Sequence, residues 1–286
     1  MKHAYLILAH NEFDVLRKLV HALDDVRNDI YIHFDAKVKV RPRLTTLYSK
    51  VILTPVRLDV RWGDVSVVLA ELELLKTAVD HGEYDYLHIL SGVDMPLKSQ
   101  DYIHLFFEKH KGKEFIGFYQ KNNEKEIDLK VRRWHLFPTR FRDSSLSVRF
   151  LRALFLRLQI LFHIQRNKKI PFKKGTQWVS ITQSFAEFVL MNQAYIKKIY
   201  AHTFCPDEIV LQTICANSDF KNHIYDQYSE SNGCLRAIKW EKNQIVAWTM
   251  NEMDQLLQSP MLFARKFSFS DMKLVDYLLS QITTHN

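Results

Sequence analysis

Apolar positions in the first hundred residues follow two alternating rhythms. Residues 4–9 (AYLILA) form a short continuous apolar run, the signature of a buried strand. Apolar residues then return every three or four positions to about Asp25, and a second run, IYIHF, follows at 30–34. VILTP opens a further strand near 51. Asp64 is placed to cap a strong helical pattern, VSVVLAELELLKTAV. YDYLHIL (84–90) is the next buried strand; it leads into the loop SGVDMPLK and a helix from about Ser99. Strands that alternate with helices in this way predict an α/β protein with a mostly parallel sheet flanked by helices. Ligands of such sheets lie beyond the carboxyl ends of the strands. His10, Asp35 and Asp94 all fall there, which makes them candidates for one crevice.

The second half is less regular. A basic amphipathic stretch, SLSVRFLRALFLRLQILFHIQRNKK, precedes the strand candidate GTQWVSIT. Helical patterns cover about 183–201 and 206–217, LRAIKW (235–240) is a strand candidate, and two short helices are expected to flank MLFARKF. No Pro/Gly linker or internal repeat divides the chain, so a single domain is expected: a nucleotide-binding half over 1–140, the basic segment over 141–175 and a catalytic, acceptor-side half over 176–286.

Charge changes this picture in one place. Residues 144–175 hold Arg149, Arg152, Arg157, Arg166, Lys168, Lys169, Lys173 and Lys174 and no acidic residue; without these eight, 32 basic residues balance 32 acidic ones. The net charge of +8 is therefore local. This does not suit a general nucleic-acid surface, and aromatic and basic residues are not interleaved in a nucleic-acid-binding pattern. The segment is either an ordinary packed helix or a contact with an anionic membrane through 144–174. Three cysteines without a C-x-x-C pair fit a reducing compartment. With no run long enough for a membrane span, the expected location is the cytoplasm, with possible peripheral contact at the inner face of the cell membrane.

With only seven glycines and neither G-x-G-x-x-G nor G-x-x-x-x-G-K-[ST], the sequence argues against dinucleotide and P-loop chemistry. Taken singly, the remaining candidates have ordinary readings. Pro206, Asp207 and Glu208 suit the start of a helix. Asp35 suits a turn, Trp178 and Trp240 suit a core, and Arg265 and Lys266 suit a solvated face.

Their order is more informative than any one of them. IHFDAK (32–37), RWGDVSVVLAEL (61–72), LSGVDMPLK (90–98), GTQWVSIT (175–182), CPDE (205–208), LRAIKW (235–240) and LFARKF (262–267) stand in the order found in one family. The chain resembles the core 2/I-branching β-1,6-N-acetylglucosaminyltransferases of glycosyltransferase family 14, which also includes peptide O-xylosyltransferases. The resemblance is weak over 111–174. It implies a GT-A-like fold and inverting, metal-independent transfer from a UDP-sugar, with UDP-N-acetylglucosamine the favoured donor. The acceptor implied is an oligosaccharide or lipid-linked glycan of a surface polysaccharide or lipopolysaccharide.

By the same resemblance Glu208 is the base that takes the proton of the acceptor hydroxyl. Leu8, His10, Asp35 and Trp62 lie at the donor, and Lys266, with Arg265 or Arg236 in support, faces its diphosphate. Trp240 contacts the acceptor, and Arg133 or Arg132 lies near it. Asp94 either organises its loop or touches the sugar, and Trp178 is either structural or an acceptor contact. No cofactor or metal is expected. The D-x-D that holds a metal in most GT-A enzymes is absent, and Glu83-Tyr84-Asp85 lies at the wrong end of its strand. Fixed cations must then neutralise the departing UDP. Two departures stand out: NQIVAWTMNE lacks the arginine that animal members use at the diphosphate, and Cys205 replaces the family serine. Xylosyl or glucuronosyl transfer, or a silent glycan- or nucleotide-sugar-binding protein at the membrane, are the alternatives. A helix N-terminus favours an ionised carboxylate and weakens it as a base, so Glu208 is expected in a partly dry cleft.

Overall fold

The computed structural model describes residues 1–120, 124–142 and 145–283. Ser144, at the start of the predicted basic segment, lies outside the described residues. Among the described residues ten strands follow in chain order: β1 His3–Ala9, β2 Asn28–Phe34, β3 Lys50–Leu53, β4 Tyr86–Ser91, β5 Asp94–Pro96, β6 Ser180–Thr182, β7 Arg236–Ile238, β8 Trp240–Glu241, β9 Gln244–Ile245 and β10 Phe263–Arg265. The first six helices are α1 Phe13–Ala22, α2 Ser66–His81, α3 Gln100–Lys109, α4 Glu124–Val131, α5 Leu146–Leu161 and α6 Gln183–Met191.

The central sheet has the order β3-β2-β1-β4-β6. Its first four strands are parallel, and β6 runs antiparallel to β4. This mostly parallel sheet between helices is the predicted α/β architecture and agrees with a GT-A-like fold. Every residue of β2 and β4 is buried, as expected for strands covered on both faces. The register sets Leu8 of β1 level with His33 of β2 and with Ser91 of β4. Residues just beyond these positions therefore leave the sheet at a common edge.

The pattern of α2 explains its position. Val68, Leu72, Leu75 and Ala78 recur at three and four and are buried against the sheet. The helix starts one residue later than the Asp64 cap predicts, with Val65 at the N-cap and no side-chain cap; the Asp64 carboxylate still accepts the Ser66 N–H at 2.7 Å. SGVDMPLK is less of a loop than its composition suggests, because β5 pairs there with β10 in a second sheet of order β5-β10-β7. The predicted strand GTQWVSIT pairs regularly only over β6; residues 175–179 form no regular element. The segment 206–217 also divides, into a 3-10 turn over Pro206–Glu208 and a helix over Val210–Ala216. One apolar core unites both ends of the chain: Val15, Leu16 and Leu19 of α1 join Leu262, Phe263, Leu274 and Leu278. Among the described residues no helix is long and apolar enough to cross a membrane.

Candidate active site

The edge formed by β1, β2 and β4 gathers several of the predicted residues. Asp35 follows β2 and is buried; its carboxylate accepts from the backbone N–H and the ammonium of Lys37, each at 2.8 Å. His10 follows β1. Burial lowers its imidazole below the ordinary range, against the pull of Asp35, and the charges of Arg265, Lys37 and Arg142 push the same way as burial. The donor candidates His10, Asp35 and Arg265 thus share one electrostatic neighbourhood, with Leu8 half-buried on β1 behind them.

The register of β5 on β10 places Asp94 beside Arg265. The Asp94 carboxylate accepts from the Arg265 guanidinium at 2.8 Å and from the Ser91 N–H at 2.9 Å. Burial pushes Asp94 upward and Arg265 opposes it. Asp94 therefore organises its loop and also neutralises Arg265. Trp178 is buried and carries the Arg265 guanidinium 4.1 Å above its ring, so it serves as a platform for Arg265. Lys266 differs from Arg265: its ammonium has no hydrogen bond or ion pair among the described residues and leaves the strand as an uncompensated cation.

Glu208 ends the 3-10 turn Pro206–Glu208, which Cys205 enters with a left-handed backbone at φ 49°. Two backbone bonds fix this turn. The Cys205 N–H donates to Gly63 O at 2.8 Å, and the Gly175 N–H donates to Glu208 O at 2.9 Å. The first shows why Gly63 follows Trp62: its φ is +82°, and a Cβ there would lie 2.9 Å from the Phe204 ring. The second joins Glu208 to residues 175–178, which end at the platform under Arg265. Three extended residues span at most about 11 Å, so the Gly175 backbone that binds Glu208 lies within that distance of the Trp178 backbone under Arg265.

The surroundings of Glu208 are ionic where a drier setting was expected. Its Oε2 accepts from Lys130 at 2.8 Å and lies 3.5 Å from Lys174. Glu126 Oε1 binds the same two ammonium groups, each at 2.8 Å. Burial works against the charge of Lys130, but Glu208 and Glu126 outweigh it and keep the ammonium protonated. Oε1 of Glu208 has no protein partner among the described residues. One carboxylate oxygen is therefore clamped and the other is free to receive a proton.

Its neighbour Asp207 is in the opposite situation. Burial pushes its carboxyl up to about 7, the Glu208 charge adds to this, and its Oδ1 is buried without a partner. Glu71 of α2 is buried in the same place and raised well above the carboxylate range, first by burial and then by Asp207. Its Oε1 accepts from Gln177 at 2.7 Å. Two adjacent acids thus stand in different surroundings: Asp207 is pushed toward its neutral form by burial, and Glu208 lies against Lys130 and Lys174.

Some predicted residues lie elsewhere. Arg236 was expected to support Lys266 at the diphosphate. It is instead fully buried, donating to Cys234 O, Val179 O and Ser180 Oγ above the Phe263 ring, and it has no path to a ligand. Arg133 was expected near the acceptor, but it is buried with its guanidinium bound to Asp128, Gln159 O and Ile164 O. It fastens the end of α5 to α4. Trp240 is 57% exposed on the β8–β9 hairpin, and Trp62 is half-exposed with Arg142 4.6 Å over its ring. Sequence reasoning missed Lys37, Arg142, Glu126, Lys130 and Lys174. The spacing of Glu126 and Lys130 on α4 was a usable signal for an ion pair. Nothing in the pattern pointed that pair at Glu208. Among the described residues no group of three or more His, Cys, Asp or Glu side chains is placed to hold a metal ion.

A family model described as Core-2/I-Branching enzyme matches residues 3–258. Xylosyltransferase 2 of Rattus norvegicus is 23% identical over 287 residues, covering 92% of this chain and 32% of its own. Xylosyltransferase 2 of Homo sapiens is 23% identical over 287 residues, with 92% and 31% covered. Xylosyltransferase 1 of Homo sapiens is 22% identical over 291 residues, with 92% and 28% covered. The chain spans about a third of the length of the curated relatives it matches.

Proposed function

The chain belongs to the Core-2/I-Branching enzyme family of glycosyltransferases, and from that premise we propose that it transfers a sugar from a UDP-sugar to a glycan hydroxyl with inversion and without a metal ion. The observation that carries this reading is the half-clamped Glu208. Lys130 orients its Oε2, and in this reading Oε1 faces the acceptor while Arg265 and Lys266 lie at the donor. The acceptor oxygen forms the new bond to the anomeric carbon, and its proton passes to Glu208 Oε1. The bond from the anomeric carbon to the diphosphate breaks, and UDP leaves with the electron pair. Lys266 meets the growing negative charge, with Arg142 and Lys37 as further cations facing His10. These two are the candidates to replace the arginine missing from 243–252.

UDP-N-acetylglucosamine is the first donor to test. UDP-xylose is the second, because the relatives named above are xylosyltransferases. Thermal unfolding with a panel of UDP-sugars, with and without EDTA, tests the donor. A ligand at 100 times its Kd adds about 2.7 kcal/mol, and the shift from one UDP-sugar should survive EDTA. Absence of a shift with every UDP compound would refute the donor reading. Glu208→Gln should lower kcat roughly 100- to 10,000-fold with little change in UDP affinity; a variant of near-normal turnover would remove Glu208 from the role of base.

We further infer that the basic segment rests on an anionic membrane surface, which suits an acceptor of surface polysaccharide or lipopolysaccharide synthesis. Arg149 and Arg157 are exposed on α5 beside exposed Leu146, Phe150 and Leu161. Sedimentation with phosphatidylglycerol vesicles should be strong at low salt and weak at high salt. Binding that ignores salt, or none at all, would end this reading.

A further inference from the structure

A cavity of about 520 Å³ opens between α5 and the chain that follows α4. Its walls are mostly apolar, with Leu129, Leu136, Phe141, Leu156 and Phe204 among them. Lys130 also lines it, and the same ammonium holds Glu208 Oε2 at 2.8 Å, so the cavity ends beside the proposed base. An acceptor made only of sugar gains nothing from such walls, since sugar hydroxyls buried there would lose their water without replacement bonds.

Two arginines at the cavity lack an anion. Arg152 stacks 4.2 Å over the Phe141 ring; among the described residues its one side-chain hydrogen bond is a 3.5 Å contact with Arg140 O, and its Nε is buried without a partner. Arg149, one turn earlier on the same helix wall, has no side-chain partner among the described residues. No acidic residue occurs in 144–175, and Glu126, which also lines the cavity, is paired with Lys130 and Lys174. The buried Arg152 Nε without an acceptor is costly, Arg149 is exposed beside it, and phosphate oxygens are the acceptors that best fit a guanidinium fork.

The outer side of the same helix is unfinished in a matching way. Leu146 and Phe150 are 81% and 67% exposed, Leu154, Leu158 and Leu161 are exposed as well, and the only buried residue of α5 is Gln159. A second copy of this chain on that face would bring the arginines of the two helices together, which like-charge repulsion opposes. An apolar slot, unneutralised arginines and an apolar outer helix face together describe one ligand: an anionic phosphate joined to a hydrocarbon chain.

We propose that this cavity binds the phosphate and the head-proximal hydrocarbon of a lipid-linked saccharide, and so presents the sugar of that acceptor to Glu208. This rests on the glycosyl-transfer reading above and specifies its acceptor as a lipid phosphate. Arg149 and Arg152 take the phosphate, the apolar walls take the chain, and the saccharide passes Lys130 into the cleft.

Calorimetric titration with farnesyl phosphate below its micelle concentration tests the assignment, with farnesol, inorganic phosphate and UDP as separate ligands. Farnesyl phosphate should bind at least ten-fold more tightly than farnesol or inorganic phosphate. Ala153→Trp, which fills the cavity mouth, and Arg152→Gln should each weaken it ten-fold or more and leave UDP affinity unchanged. Farnesyl phosphate binding no tighter than inorganic phosphate would overturn the proposal. So would equal affinity in the wild type and Ala153→Trp, or adhesion to phosphatidylglycerol vesicles without farnesyl phosphate binding. A wild-type protein that binds UDP but not farnesyl phosphate would defeat this inference alone. Lipid binding without any UDP binding would defeat the donor reading and leave a lipid-phosphate site.

Discussion

Helices α2 and α5 are each sixteen residues long and rich in leucine, valine and phenylalanine or alanine, yet they relate to the fold in opposite ways. The first buries Val68, Leu72, Leu74, Leu75 and Ala78 against the sheet, and even a glutamate, Glu71. The second buries one residue, a glutamine, and turns its leucines outward. Gln159 is buried because it is the anchor: its amide pairs with both Trp134 N–H and Trp134 O, and its own carbonyl accepts from Arg133. Apolar periodicity thus predicts a helix but does not name its partner. For α2 the partner is the sheet; for α5 the partner proposed is a lipid.

Substitutions can test this difference directly. Leu75→Ala in α2 should destabilise the protein by about 2–5 kcal/mol in denaturant unfolding, because it opens a cavity in a closed core. A loss below about 1 kcal/mol would mean that α2 is less firmly packed than its burial indicates. The next effect depends on pH and concerns the acid that Glu71 faces. Asp207 has a folded-state value of about 7, above its unfolded value near 3.8. Its contribution therefore favours the fold below pH 4 and is lost as pH rises through 7. Asp207→Asn does not titrate, so its stability relative to the wild type should rise from pH 4 to pH 8 by up to about 4 kcal/mol. A difference independent of pH would contradict a neutral Asp207. The smallest effect belongs to α5: Phe150→Ser should change stability by less than about 0.5 kcal/mol, while it weakens sedimentation with anionic vesicles. A large loss of stability there would mean that α5 does pack on protein.

The same contrast sets how far the sequence could be read. Strands at 4–9, 30–34 and 84–90 were legible because a strand buried on both faces leaves a mostly apolar run, broken here only by His33, Asp85 and His88. The crevice was legible from them, since His10 and Asp35 need only follow such strands. Partners brought in from far along the chain were not. Arg236 and Arg265 look alike in sequence, yet burial commits the first to carbonyls and leaves the second over Trp178 beside the cleft. Arg133 and Lys130 are three residues apart on one turn; one ties down α5 and the other holds Glu208. Charge type alone carries no direction. The family resemblance pointed to Glu208 and Lys266, but Lys130, Lys174 and Glu126 lie in or beside the stretch where that resemblance fades.

The pairing of β5 with β10 also has a consequence in time. Asp94 and Arg265 meet across 171 positions of chain, and at roughly 5–20 residues per second of synthesis the second reaches the first about ten to thirty seconds later. Until then Asp94 waits without its cation, and α1 waits for the apolar residues 262–278 that cover it. A ribosome carrying the nucleotide-side half therefore holds an open, sticky intermediate, and production of this protein should respond to translation speed and to chaperone supply.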